Sequence, residues 1–410
     1  RAVRPYSFTM PYLNFPHRFE IARVKELGAP VLVWDLPAEE GIPLHGVQDW
    51  PRDMRWAANE PATLYWLEAL DGGDPKVKVE HRDRWMRAKA PFEADASGEV
   101  QAEEVLRVEH RAYGLTFFET PGRVLTSEYD RDRRWIRSQV CDLEDGSAPR
   151  VLDDRSVSDS YAALGSPLMR PGPFGRHVIR EDGPCILRNG SGASAAGDRP
   201  RLVRQSLETL DVEELWRCDE EAYEYVVALL ESGALVTRHE SEKLPPNYFL
   251  QEPGGERAPL TEFPDPQPSL RGITKERLTY ERADGVSLSG TLYLPAGYVT
   301  GTKLPLVVWG YPMEYVDSGT AGQVRGTTKE FTRLGGSSHL LLVMQGYAVL
   351  DDATMPIIGD PETMNDTFVG QLVASAQAAV DACVDRGVAD RDRVGVAGHS
   401  YGAFMTASLL

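Results

Sequence analysis

Cysteine is scarce. Four residues, Cys141, Cys185, Cys218 and Cys383, lie far apart in a chain of 410 and form no CxxC pair. That spacing argues against a zinc site or a disulfide scaffold, and all four are expected to be buried thiols. Positive charge is also in deficit, with 44 Lys plus Arg against 62 Asp plus Glu for a net charge of -18. Such a surface repels phosphate backbones and anionic headgroups, so neither nucleic acid nor a membrane is an expected partner. No run is read as long and apolar enough to cross a bilayer, and a soluble, cytoplasmic chain without metal or cofactor is the expectation. The opening RAVRPYSFTMPYLNF has none of the basic, apolar and small-residue regions of a signal peptide. It has no initiator methionine either, so the chain is expected to begin inside a longer polypeptide.

What is present divides into two regions. From Arg1 to about Gln267 apolar residues come in short runs broken by Gly, Pro, Asp and Asn, the pattern of many short strands. VLVWDLP (31–37), ATLYWLEALDGGDP (62–75), GRVLTSEYDRDRRWIRSQVCDLEDGSAP (122–149) and YVVALLESGALVTRHE (225–240) all fit. Asp71-Gly72, Asp145-Gly146 and Ser232-Gly233 sit where hairpins need positive φ. A weak internal echo links VLTSE at Thr126, LVTRHE at Thr237 and, more loosely, ATLYWLE at Thr63. The gaps are 126 − 63 = 63 and 237 − 126 = 111 residues. If the second gap holds two units, each has about 55 residues, near the size of a propeller blade. A β-sandwich, or a pair of them, is the competing architecture. NGSGASAAGDRP (189–200) reads as a long surface loop.

FPDPQPSL, with Pro264, Pro266 and Pro268 on alternate positions, admits neither helix nor central strand and marks the boundary between a region 1–268 and a region 269–410. Beyond it RLTYERADGVSLSGTLYLP reads as a hairpin through Asp284-Gly285. KLPLVVWGYP and GYAVLDD are apolar runs suited to buried strands. In NDTFVGQLVASAQAAVDACVDRGV, Val369, Leu372, Val373, Ala376, Ala379, Val380, Cys383 and Val384 recur at helical steps, with Asn365 or Asp366 as N-cap and Gly387 past the end. Strand, helix and strand in that order predict a crossover on a parallel sheet.

The next strand ends in Gly398-His399-Ser400-Tyr401-Gly402, a GxSxG sequence followed by the small-residue start of a helix. In a strand-to-helix turn this sharp, the positions two before and two after the serine come together, so side chains there would collide. The turn exposes Ser400 Oγ and leaves the Tyr401 N–H at the helix start, able to donate to a developing oxyanion. A serine hydroxyl is a poor nucleophile at neutral pH and needs a histidine base held by a carboxylate. Those partners follow the serine in such an architecture, and the eight residues after Gly402 include no Asp, Glu or His. All eight histidines, including His339 and His399, stand at or before position 399. His399 is expected to point away from the Ser400 hydroxyl and His339 has no positional claim on a triad, so the chain is expected to be an incomplete catalytic unit.

The run from KLPLVVWGYPMEY through QVRGTTKEFTRLGG and MQGYAVLDDATMPIIGDPETMNDTFVGQLVASAQAAVD to GHSYGAFMTASLL resembles the prolyl oligopeptidase family of serine peptidases, in its glutamyl endopeptidase-like branch. RWAANEPATLYWLEALDGGDP and LTSEYDRDRRWIR resemble the propeller of the same branch. The resemblance implies a partial β-propeller over 1–268 ahead of a partial α/β-hydrolase domain over 269–410, with a parallel-sheet core and a nucleophile elbow. It implies peptide substrates, Ser400 as nucleophile, the Tyr401 N–H as one oxyanion donor and the Tyr311 hydroxyl in WGYP as the second. A packing role at a strand end is the alternative for Tyr311. Both ends of the chain are expected to be cut, the remainder of the hydrolase domain being its first partner and the chain alone being inactive.

Other motifs carry less. HRDRWMRAK imitates a kinase catalytic loop, but Ala88 replaces the expected asparagine. DEEAYEY (219–225) reads as a solvated loop, although such an acidic pair could hold a peptide amino terminus. Arg325 or Arg333 could pair with an acidic P1 side chain. An aminopeptidase-like or ester hydrolase on the same fold, and a noncatalytic propeller binding module, remain the alternative functions.

Overall fold

Short alternating runs separated by turn residues fold as antiparallel meanders in the computed structural model, which describes residues 10–23, 30–93 and 100–410. The first nine residues, read above for a leader, lie outside the described residues. The first compact unit comprises 1–131, 135–154 and 169–181; the second comprises 132–134, 155–168 and 182–410.

In the first unit, strands Arg52–Trp56, Thr63–Ala69, Asp83–Lys89 and Glu103–Val108 form one four-stranded meander. Arg111–Phe117, Arg123–Asp130 and Trp135–Asp142 form most of another, whose last strand begins at Arg150. Tyr65, Leu67, Trp85, Leu115, Phe117 and Val124 share a core. The kinase-like stretch falls on the strand Asp83–Lys89, where buried Asp83 accepts from the Ala112 N–H (2.8 Å) and from Arg111 (2.6 Å). It is a structural tie.

The second unit holds two further antiparallel sheets. One runs Ser166–Pro167, Cys185–Gly190, Arg201–Ser206 and Val212–Arg217, with Glu181–Asp182 added beside Cys185–Gly190. The other runs Tyr223–Leu229, Leu235–Glu240, Asn247–Gln251 and Arg257–Pro259. The three echoed threonines all fall in the second strand of a meander: Thr63 at its start, Thr126 and Thr237 inside it, all buried. The sheet of Ser166 to Arg217 occupies the longer gap. Thr126 Oγ1 donates to the Gly114 carbonyl and Thr237 Oγ1 to Glu224, so the repeated residue satisfies a buried hydroxyl within its own sheet.

Three turn readings shift. Gly72, Gly146 and Gly233 all take positive φ between adjacent strands, but Asp71-Gly72 opens a long connection to Asp83 rather than a tight hairpin, with Asp71 buried and accepting from Gly73, Arg82 and Arg111. The loop 191–200 is pinned by the Asp198 N–H donating to the Gly326 carbonyl (2.9 Å), and is half-buried. DEEAYEY enters the strand Tyr223–Leu229, where Glu224 is buried; only its first residues form an exposed turn.

After the Pro-rich segment come β1 (Thr274–Glu281), β2 (Ser287–Leu294), β3 (Leu304–Tyr315), β4 (Ala348–Ile358), α1 (Phe368–Asp385), β5 (Ala389–Ala397) and α2 (Tyr401–Leu409). The sheet order is β1-β2-β4-β3-β5. β1, β2 and β4 pair antiparallel, while β4, β3 and β5 are parallel. The sheet is therefore mixed: the hairpin read from Asp284-Gly285 extends a parallel core. The crossover β4-α1-β5 passes over β3, which lies between the two strands it joins.

Helix α1 is headed by Thr367 after a 3-10 turn at Met364–Thr367, which takes up the expected caps Asn365 and Asp366. It buries Phe368, Leu372, Ser375, Ala379 and Cys383. Val369 and Val373 from the expected stripe are 54% and 49% exposed. The stripe is wider than the contact, and the sheet takes its Phe368 side. By length and composition the segment Met364–Asp385 could cross a bilayer, contrary to the reading of the sequence, yet it packs along β4 and β5 over Leu350, Met355 and Ala389. The four cysteines are free and buried, as expected, and burial pushes the Cys141 and Cys383 thiols up to about 12.

Candidate active site

Val394 and Val396 bring β5 beside β3, pairing with Leu306 and Val308, and the chain then reverses into α2 within Gly398 to Ser400. Ser400 has φ 56° and ψ -115°, a conformation L-residues seldom adopt. A Cβ on Gly398 would stand 2.7 Å from the Gly402 Cα and 2.6 Å from the Gly310 carbonyl oxygen; one on Gly402 would stand 2.5 Å from that oxygen. The two glycines are thus required by close approach, as the turn predicts. The third wall, Gly310 of β3, went unread in the sequence; its only signal is the glycine in WGYP at the end of an apolar run.

Ser400 and His399 are exposed. The Gly402 N–H donates to the His399 carbonyl (2.8 Å), and the Ala403 N–H to the Ser400 carbonyl (2.9 Å). The Tyr401 N–H, at the first helical residue, has no acceptor in the chain among the described residues. It is free to donate to an oxygen above the turn.

Tyr311 follows Gly310, just past the register shift between Val308 and Gly310 in β3, and is 50% exposed. Its ring meets the Tyr401 ring edge-on, with centroids 6.0 Å apart. Tyr401 stacks further on Phe368 and Phe404, and its hydroxyl pKa is raised, first by burial and then by Glu314. Arg134 pairs with Glu314. The structure therefore brings Ser400, Tyr401 and Tyr311 to the same end of β3 and β5.

No histidine hydrogen-bonds the Ser400 hydroxyl among the described residues. His339 is committed elsewhere: Nε2 lies 2.6 Å from Asp351 Oδ1, and its ring stacks on Trp309 at 3.9 Å between centroids. Beside Tyr311 a cavity of about 270 Å³ opens onto Arg277, Tyr315, Arg325 and Asp352. Asp352, at φ 49°, is held above the usual carboxylate range by burial and by Asp351, against Arg277 and His339. Arg325 faces this cavity and Arg333 does not line it.

No family model matches the chain. Two curated relatives do. The chain is 40% identical over 433 residues to a probable glutamyl endopeptidase, chloroplastic, of Oryza sativa subsp. japonica, covering 99% of this chain and 45% of the relative. It is 39% identical over 434 residues to the protein so named in Arabidopsis thaliana, covering 99% and 44%. The chain thus spans about half the length of the curated relatives it matches, and their chloroplastic naming does not support the cytoplasmic expectation. Among solved structures it is similar to oligopeptidase B from Trypanosoma brucei with covalently bound antipain, at TM-score 0.50 and 13% identity over 87% of this chain and 54% of that one. It is also similar to oligopeptidase B from Leishmania major, at TM-score 0.50 and 11% identity over 87% and 53%. Over 99% of its length the chain is therefore similar to part of the probable glutamyl endopeptidases, and its fold is similar to that of the oligopeptidase B structures.

Proposed function

We propose that the protein to which this chain belongs is a serine peptidase that hydrolyses oligopeptides through an acyl-enzyme on Ser400, with a preference for acidic P1 residues. The observation that carries this reading is the backbone of Ser400, at φ 56° between β5 and α2, with Gly398 and Gly402 in mutual contact around it. A strained turn of this kind holds a hydroxyl out at a helix start, where a structural serine needs no such conformation.

In the proposed reaction Ser400 Oγ attacks the scissile carbonyl and gives its proton to a histidine base. The carbonyl becomes an oxyanion facing the Tyr401 N–H and the Tyr311 hydroxyl, neutral donors that favour the developing charge over a substrate carboxylate. Collapse expels the amine, and water then releases the acyl group. The base and its carboxylate are assigned to the relatives' length that this chain does not span, and the chain alone is expected to be inactive. The antiparallel meanders are read as part of a β-propeller, 1–268, and the mixed sheet as part of an α/β-hydrolase domain, 269–410. The support is the run of meanders and the likeness to the oligopeptidase B structures.

Hydrolysis of internally quenched peptides by the full-length protein and its Ser400→Ala variant tests the reading. Cleavage by the wild type alone is expected, and equal cleavage by both would overturn it.

A further inference from the structure

Leu278 and Tyr280 of β1 face the core under α1, so strand alternation turns Arg277 to the opposite face of the sheet. There it pairs in register with Thr291 of β2, which in turn lies opposite Asp351 of β4. Its guanidinium lines the cavity that Tyr311 and Arg325 also border. Among the described residues Arg277 makes no hydrogen bond and no ion pair, and burial lowers its pKa against the opposing pull of Asp352 and Asp198.

Arg277 is half-buried, and a partly desolvated guanidinium without a partner gains from a carboxylate brought to it. The nearby carboxylates attract its charge without contacting it. Burial holds Asp352 and Asp198 above the usual carboxylate range, and neither forms a hydrogen bond or ion pair with Arg277 among the described residues. Arg325 is held at the cavity wall by the Ser158 carbonyl (3.2 Å) and lies over the Tyr315 ring. Two guanidiniums at one opening match the planar, bidentate demands of a carboxylate. At about 270 Å³ the space suits one side chain rather than a folded segment.

Position supplies the rest. Tyr311 borders this cavity, and its ring also meets Tyr401, the residue after Ser400. We infer that Arg277, with Arg325 beside it, receives the carboxylate of an acidic side chain on the substrate residue whose carbonyl Ser400 attacks. The inference rests on the reading of Ser400 as nucleophile and assigns the specificity of that site to a residue of β1.

The test uses the full-length enzyme and peptide pairs that differ only in Glu or Gln at P1. Arg277→Gln is expected to lower kcat/KM for the Glu peptide by about 100-fold while the Gln peptide stays within about threefold, so that the preference collapses. Equal losses on both peptides, or an unchanged Glu preference, would overturn the assignment. If Arg277→Gln does not fold, Arg277→Lys decides: the charge is kept but the fork is lost, and the Glu preference should fall by about tenfold. An intact preference in that variant also overturns it. Product peptides ending in Glu or Gln, titrated against Ser400→Ala protein, separate this inference from the one it rests on. Tighter binding of the Glu-ended product, lost with Arg277→Gln, supports Arg277 whatever the role of Ser400. Indifference to the side chain sinks Arg277 and leaves the nucleophile reading standing.

Discussion

A methyl group on Gly398 would stand 2.6 Å from the carbonyl oxygen of Gly310, so the turn that presents Ser400 is braced against the neighbouring strand β3. Gly398→Ala and Gly402→Ala must therefore open the turn or push β3 aside, at a cost of about 1–3 kcal/mol. Gly395→Ala is the control on the same strand, since its nearest contact would be the Leu306 carbonyl at 3.9 Å. Thermal unfolding should show the first two variants destabilised and the third near wild type.

Tyr311→Phe keeps the ring against Tyr401 and removes only the hydroxyl. If that hydroxyl meets the oxyanion, kcat of the full-length enzyme should fall by about 100-fold or more with KM little changed. A ring that only packs would leave kcat intact in steady-state assays.

Glu224 predicts an acid limb in the stability of the second unit. Burial opposes its ionisation, but His239 (3.1 Å), Thr237 and Arg257 (2.7 Å) outweigh burial and hold the carboxyl below the usual range. A depressed pKa contributes stability that is complete above the unfolded carboxylate value of about 4.3 and is lost as pH falls through the folded one. Glu224→Gln should cost about 3 kcal/mol at neutral pH, through the stranded Arg257 and His239, and should flatten the loss of stability below pH ~4.3. Denaturant midpoints measured across that range check both.

The two faces of α1 separate what the sequence reveals from what only packing decides. Leu372 is fully buried and Val373 is 49% exposed, although both lie on the stripe that periodicity predicts. Leu372→Ala should cost about 2–5 kcal/mol, and Val373→Ala about 0.5 kcal/mol or less, as chemical unfolding can measure.

The elbow, the hairpin at Gly285 and the extent of α1 were legible because each depends on local chemistry: a glycine pair around a serine, a positive-φ turn, a helical period. The repeat of a buried threonine was legible for the same reason, as each copy occupies one place in one meander. Arg277 and Gly310 were not. Arg277 heads the stretch read only as one strand of the Asp284-Gly285 hairpin, and its surroundings come from β2, β3 and β4 through pairings between positions far apart in the chain. Gly310 acquires its role only when β5 lies beside β3. The acidic DEEAYEY misled in the opposite sense, because the charge of Glu224 is satisfied by strands that follow it.

The central claim is that Ser400 is the nucleophile. Its most direct test is mass spectrometric mapping of a fluorophosphonate adduct on the full-length protein, its Ser400→Ala variant and the 410-residue chain. A single adduct on Ser400 of the full-length, unmutated protein is the expected result. Equal labelling of all three, or an adduct on another serine that persists in Ser400→Ala, would contradict it.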